Sequence, residues 1–305
     1  MSPALQTVRL RAYAKINWAL ELLGKRSDGY HEIRTVTQTV SLWDELEVRA
    51  SPHGTPPVLA LCVSGTFWAP ADKTNLCWRA AEAFMATFGQ PAAVDIRLTK
   101  HVPAGTGRGG GSSDCVATLA ALSRLTGLGT ADDLRHLAAA LGSDTVLFLT
   151  GAAALCSGRG EIVTPLAGTR THHLVIARPD VHVPTREAYS GLTPSDFSDG
   201  SQVARLARAL QGGAAAADLG ALLVNSFRPR VAELHPQIAA LIQDMLGLGA
   251  LASEMTGSGS GVFGLVGGEE EARRLAQALS DRGYWVVAAH TLERGYEFLE
   301  VLGFD

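Results

Sequence analysis

Five of the seven residues from Gly105 to Gly111 are glycine. Glycine in regular structure costs about 1 kcal/mol relative to alanine, so such a run does not serve packing. It permits positive φ angles and lets backbone N–H groups come close to a bound molecule. Before it, Val94–Thr99 alternates apolar and polar residues, as a half-buried strand does. After it, Val116, Leu119, Leu122 and Leu125 share a helical face, with Ser112, Ser113 and Asp114 supplying N-cap chemistry. Strand, amide-rich loop and helix start in that order make a receptor for anions, because free N–H donors and the positive end of the helix dipole converge. A triphosphate uses both. A flexible surface turn is the alternative, but a turn would not need the flanking strand, the serine pair and the amphipathic helix. No Gly-Lys-Ser/Thr follows the glycines, so the loop is not a Walker A motif. No β-α-β unit with a later acidic residue surrounds it, which argues against a dinucleotide fold.

The rest of the 305-residue chain, 47% hydrophobic and 18% charged, suffices for one large domain or two fused lobes. Val8–Tyr13 and Leu46–Val48 read as strands, and the segment around Val36–Leu42 alternates loosely. Thr74–Phe88 reads as a helix capped by Thr74, and Ala131–Leu141 as one capped by Thr130 and closed by Gly142. Further on, Leu174–Ala177 and Trp285–Ala289 are strand-like. Val203–Leu210, Leu219–Phe227, Pro236–Met245 and Glu269–Leu279 are helix-like, and Met255–Val266 is a second glycine turn entering a strand. Mixed elements without regular alternation predict an α+β fold of two lobes, 1–165 and 166–305, with the boundary near Pro165.

The formal net charge of −4 and the absence of a basic stripe argue against a nucleic-acid partner. No stretch approaches the length of an apolar membrane span. Cys62, Cys77, Cys115 and Cys156 lie far apart and form no CxxC pair; they read as buried thiols of a reducing cytosol. The opening residues lack the basic and apolar regions of a signal peptide, so a cytoplasmic location is expected. The sequence leaves monomer and homodimer both open.

Phosphoryl transfer to an alcohol needs a group to accept the hydroxyl proton and a cation to steady the anions. Lys15, between Ala14 and Ile16 in an apolar strand end, and Asp144, leading into the strand-like run Val146–Leu149, are the candidates. The competing reading of the two is a structural salt bridge. Lys100, just before the loop, is a candidate phosphate contact or a solvated lysine.

Three segments together resemble the GHMP kinase superfamily. The loop Pro103-Ala-Gly105-Thr-Gly107-Arg-Gly109-Gly110-Gly111-Ser112-Ser113 is similar to the family's second motif. Ala14-Lys-Ile-Asn17 followed by Gly29-Tyr-His-Glu32 is similar to the N-terminal signature of its branch acting on a cytidine-diphosphate-linked alcohol, and Met255–Phe263 to the family's third motif. The likeness runs from about Ala12 to Phe263. It implies a two-lobed fold with nucleotide and substrate in the cleft between lobes, ATP and Mg2+ as cofactors, and transfer of the γ-phosphoryl group to the 2-hydroxyl of 4-diphosphocytidyl-2-C-methyl-D-erythritol. Asp144 would orient and deprotonate that hydroxyl, with Lys15 beside the transferring group. Lys100, Pro103, Gly105, Gly107, Gly109, Gly110, Gly111, Ser112 and Ser113 would hold the nucleotide. Tyr30 and Tyr189 would pack on the cytosine and His31 would select its edge. Asn17 would meet the methylerythritol end, Thr185 the nucleotide portion, and Gly257, Ser258 and Gly259 the substrate phosphates. The resemblance implies no particular metal ligands. Another acceptor of the same family (a sugar, homoserine or a mevalonate-type alcohol) and a non-catalytic nucleotide-binding relative remain as alternatives.

Six residues depart from the family pattern. Thr106 and Arg108 replace smaller or apolar loop residues, Thr145-Val146 follows Asp144 where Val-Pro is usual, and Cys115-Val116 replaces alanines at the helix start. Arg108 either clamps a phosphate or points to water.

Overall fold

The computed structural model describes residues 6–51, 58–105 and 107–302. Thr106 and the first five residues lie outside the described residues, with the expectations placed on them. Two long strands, β1 (Gln6–Lys25) and β2 (His31–Ser51), form an antiparallel hairpin. Sequence alternation reveals only fragments of them. The register shifts between Tyr13 and Ala14, between Asn17 and Ala19, and between Leu22 and Gly24, and each bulge resets which face a side chain takes.

Beside the hairpin, β4 (Ala93–Lys100) pairs antiparallel with β2, and β3 (Val58–Gly65) runs parallel to β4. β5 (Ala153–Gly158) also pairs with β2, and β6 (Ile162–Leu166) with β5. The short β8 (Val224–Asn225) and the C-terminal β12 (Tyr296–Leu302) both pair with β1. A second, antiparallel sheet has the order β11 (Trp285–His290), β7 (His173–Arg178), β10 (Val262–Val266), β9 (Ala252–Met255). Pro165 falls inside β6, and two later strands return to the first sheet.

Helices α1 (Leu76–Phe88), α2 (Gly110–Thr126) and α3 (Ala131–Leu141) share a core with the first sheet that includes Leu46, Phe84, Ile96, Leu98 and Leu119. Asn75, not Thr74, caps α1: its side chain accepts from the Cys77 N–H, while Thr74 is engaged with Asp72. At α3 the expected cap is a full box, with Thr130 and Asp133 each satisfying the other's backbone N–H.

A second cluster joins the two sheets, with Trp18 and Val36 meeting Leu174, Ile176 and Phe263, and α6 (Ser201–Gln211) adding Val203 and Leu206. Trp18 is fully buried, edge-on to Phe263 at 5.7 Å, and its indole N–H donates to Gln38 Oε1 at 2.8 Å. A buried indole needs that acceptor. Helices α9 (Pro236–Gly247) and α10 (Glu269–Ser280) pack in a third cluster with β7 and β10.

Four short helices, α4 (Thr145–Thr150), α5 (Thr185–Tyr189), α7 (Ala216–Leu219) and α8 (Arg228–Leu234), complete the chain. Leu219–Phe227 is not the helix its sequence predicts. Tertiary pairing wins: Val224–Asn225 aligns with β1, and the Asn225 amide donates to the carbonyls of Met255 and Gly257, both at 2.8 Å. Cys77, Cys115 and Cys156 are buried thiols, whereas Cys62 is exposed on β3, contrary to expectation. No helix of the described residues is long and apolar enough to cross a membrane.

Candidate active site

The glycine loop joins the end of β4 to the start of α2. Helix α2 begins at Gly110, earlier than expected, after Gly109 in a left-handed conformation. Ser112 and Ser113 thus lie inside the first turn, and no side chain caps the helix end. Its leading N–H groups are left for a ligand. The Ser113 hydroxyl is buried without a hydrogen-bond partner among the described residues. A cavity opens here, lined by Pro70, Asn75, Lys100, Pro103, Gly105, Gly107, Arg108 and Gly109 through Ser112.

Lys100 is part of the floor of that cavity. Its buried ammonium bridges Asp44 and Asp114 (2.7 Å to the latter). Burial alone would lower its pKa, but the two carboxylates hold it well above the ordinary lysine value, while burial pushes Asp114 up. Asp44 also accepts the N–H groups of His101 and Val102 at 2.6 and 2.8 Å, fixing the exit from β4. The Lys100 charge, expected at the phosphates, is already matched by two carboxylates beneath the loop. Sequence reasoning missed Asp44, which lies in an ordinary-looking strand more than fifty residues from its partners.

Lys15 sits in the middle of β1, between two bulges, rather than at a strand end. Its N–H donates to the Arg108 carbonyl at 3.0 Å, so the strand itself holds the loop. The buried Lys15 Nζ donates to Asn17 Oδ1 at 2.7 Å and lies 3.4 Å from Asp144 Oδ2. Asn17 is fixed in turn: its Nδ2 donates to Thr35 Oγ1 at 2.9 Å and its backbone N–H to Thr256 Oγ1 at 2.8 Å. Asp144 precedes α4, so the run after it is helical, not a strand. The Thr145 hydroxyl explains the turn, donating to the carbonyls of Ala138 and Gly142 at the end of α3. Asp144 is only partly buried, its side chain 43% exposed. The buried member of the pair is the lysine.

A second cavity is lined by Lys15, Asn17, Asp144, Thr185, Tyr189, Gly257 and Ser258, with Thr35, Thr37, Cys156 and Phe227. Gly107 lines both cavities. The loop, the acid and the amine thus share one cleft. Ser258 Oγ donates to Thr185 Oγ1 at 3.3 Å. Burial raises the pKa of Tyr189, and the charge of Asp144 adds to this.

Tyr30, His31, Ser113 and Gly259 line neither cavity. The His31 ring packs on Tyr189 at 5.2 Å, and Tyr189 meets Phe227 edge-on at 4.7 Å. Burial, with the charge of Lys25, lowers the His31 pKa, favouring the neutral ring. Tyr30, 56% exposed, carries the Arg159 guanidinium over its ring at 4.8 Å, and Arg159 lines the second cavity. Sequence reasoning missed Arg159; its only signal was a basic residue between Gly158 and Gly160 in a tight turn.

No group of three or more His, Cys, Asp or Glu side chains is gathered to hold a metal among the described residues. Magnesium does not require one, since it keeps much of its water and is usually held by substrate phosphates with one or two protein oxygens. The Ser112 hydroxyl, on the wall of the nucleotide cavity, fits that role.

Residues 75–153 match the GHMP kinases N terminal domain and residues 203–284 the GHMP kinases C terminal domain. A 4-diphosphocytidyl-2-C-methyl-D-erythritol kinase of Desulfitobacterium hafniense (strain Y51) is 37% identical over 94% of this chain and 97% of its own. One of Pelotomaculum thermopropionicum is 40% identical over 87% and 91%. A crystal structure of 4-(cytidine 5'-diphospho)-2C-methyl-D-erythritol kinase superposes with a TM-score of 0.80 at 35% identity, covering 93% of this chain and 98% of the other. A homoserine kinase from Cytophaga hutchinsonii shares the fold at a TM-score of 0.74 and 20% identity. From both matched domains and from relatives along nearly its whole length, the chain belongs to the GHMP kinase family.

Proposed function

We propose that the chain transfers the γ-phosphoryl group of ATP to the 2-hydroxyl of 4-diphosphocytidyl-2-C-methyl-D-erythritol, a step toward isoprenoid precursors, giving ADP and the 2-phosphate. The observation that carries the reading is the position of Gly107 between two cavities, one floored by the amide-rich loop and the other holding Lys15 and Asp144. The triphosphate lies on the loop and the leading N–H groups of α2, its γ-phosphoryl group toward Gly107. The acceptor hydroxyl enters from the other side. Asp144 orients it and takes its proton as the new P–O bond forms and the bond to the ADP oxygen breaks. Lys15 keeps Asp144 in place and faces the charge that gathers on the transferring group. Magnesium, held by the phosphates with the Ser112 hydroxyl as an available protein oxygen, would neutralise part of that charge. We place the reaction in the cytoplasm, where ATP is supplied and free thiols persist.

The test is direct. Pure protein with ATP and this acceptor should release ADP only when both are present, and CDP should compete with the acceptor. Turnover on homoserine or mevalonate without inhibition by CDP would move the assignment to another acceptor of the family.

Arg159 and the Tyr30 ring form the outer wall of the acceptor side, next to the aromatic set His31, Tyr189 and Phe227. That wall suits an anionic group carrying a base. Arg159→Ala is expected to raise KM for the acceptor about tenfold, the scale of one charge-assisted hydrogen bond, and to leave KM for ATP unchanged. Steady-state kinetics with each substrate varied in turn check this; an equal rise in both would place Arg159 elsewhere.

A further inference from the structure

Arg108 is a cation in the middle of the glycine loop on the wall of the nucleotide cavity, and its side chain does not point to water. It is 1% exposed. Its guanidinium runs behind the loop to the second sheet, where Nη2 donates to the Ala177 carbonyl on β7 at 2.9 Å. The guanidinium carbon lies 5.0 Å from the centre of the Trp285 ring on β11, within cation–π range. Through its own carbonyl, Arg108 holds the N–H of Lys15 at 3.0 Å. One residue therefore ties together the loop, the strand that carries Lys15, and the C-terminal sheet.

The tie continues around the nucleotide cavity. Trp285 meets Phe67 edge-on at 5.7 Å, and Arg178 lies over the Phe67 ring at 5.5 Å. Ala69 and Pro70, just beyond Phe67, line the cavity. Resting on the reading of the loop as the triphosphate receptor, we infer that Arg108 is a positioning residue for nucleotide binding, holding the loop amides in place by anchoring them to the second sheet.

A purely space-filling role is the competing account, and energetics weighs against it. An aliphatic side chain would fill the same volume without the cost of taking a guanidinium out of water. Burial, with the like charge of Arg178, lowers the Arg108 pKa to about 9. An anion on the loop opposes that shift, so bound triphosphate and a charged Arg108 favour each other.

Arg108→Met keeps length and apolar contact while removing charge and donor. In calorimetric titration with a non-hydrolysable ATP analogue it should bind about tenfold more weakly than wild type, equivalent to about 1.4 kcal/mol. KM for ATP should rise alongside, with kcat at saturating ATP within about twofold and the acceptor KM unchanged. Arg108→Lys, which retains the cation, should recover most of the loss. A folded Arg108→Met protein that binds the analogue as wild type does would overturn the inference. So would one whose kcat and both KM values decline together with its melting temperature, the mark of a merely structural role. Should Arg108→Met fail to fold, Trp285→Leu decides: about threefold weaker analogue binding supports the anchor, and unchanged binding removes it. Failure of the wild-type protein to bind the analogue would instead strike the nucleotide reading itself, and the inference with it.

Discussion

Asp144→Asn is expected to lower kcat by about three orders of magnitude, within the range for loss of a positioned general base. The substitution keeps the shape of the side chain and removes its ability to take a proton. KM for ATP should stay within about threefold, because the nucleotide cavity is built from other residues and Asp144 does not line it. Thermal stability should fall modestly, since the buried Lys15 ammonium loses its counter-charge but keeps Asn17 Oδ1. Lys15→Met should cost a similar factor in kcat for a different reason. The ammonium is 3.4 Å from Asp144 and 2.7 Å from Asn17 Oδ1, so its removal frees both groups and takes away the charge facing the transferring phosphoryl group. Because the two residues act as one unit, the double variant should be scarcely worse than either single one. Initial-rate kinetics on the two single variants and the double variant settle the matter. A retained kcat in Asp144→Asn would reduce the pair to a structural salt bridge, and fully additive losses would mean that the two residues act independently.

The loop, α2, α3, α6, α9 and α10 were legible because each has a strong local signature: glycines before a helix, a capping pair, an apolar stripe of helical period. The middle of β1 was not, since bulges on both sides of Lys15–Asn17 break the alternation on which strand recognition depends. The helix after Asp144 was misread as a strand for a related reason. Val146–Leu149 is short and apolar, and periodicity cannot separate a buried strand from one buried turn of helix; the deciding hydrogen bonds come from Thr145 to α3. Of the candidate site, Lys15, Asp144 and the loop could be singled out from sequence because they lie in motifs. Asp44, Arg159 and the course of the Arg108 side chain could not, because each takes its meaning from a partner far along the chain: Lys100, Tyr30, and Ala177 with Trp285. Local pattern shows where an anion can bind. What holds the receptor in shape is tertiary.

Gly107→Ala carries the second large expectation: a loss of about a hundredfold in kcat/KM, the scale seen when reacting groups are displaced by roughly 1 Å. Gly107 has φ +72°, where an L-residue costs roughly 1–2 kcal/mol. Space is the harder constraint. A Cβ at this position would stand 2.8 Å from the Thr256 carbonyl oxygen and 3.1 Å from Gly257 Cα. From the other side, a Cβ on Gly257 would meet Gly107 Cα at 2.9 Å. Here backbone faces backbone, so no rotamer change relieves the contact and the loop must move away from the turn after β9. That turn is itself held by the Asn225 amide, which leaves the phosphate loop as the part that gives. Because Gly107 lines both cavities, KM for ATP and KM for the acceptor should rise together, unlike the one-sided effects expected for Arg108 and Arg159. Gly247→Ala is the matched control: that glycine ends α9, has no positive φ, and nothing lies within 4 Å of the added methyl group, so its activity should equal wild type. Measured kcat/KM for the two variants, with circular dichroism to confirm folding, gives the answer. A folded Gly107→Ala enzyme of near-normal activity would mean that the two cavities do not meet at this residue during the reaction.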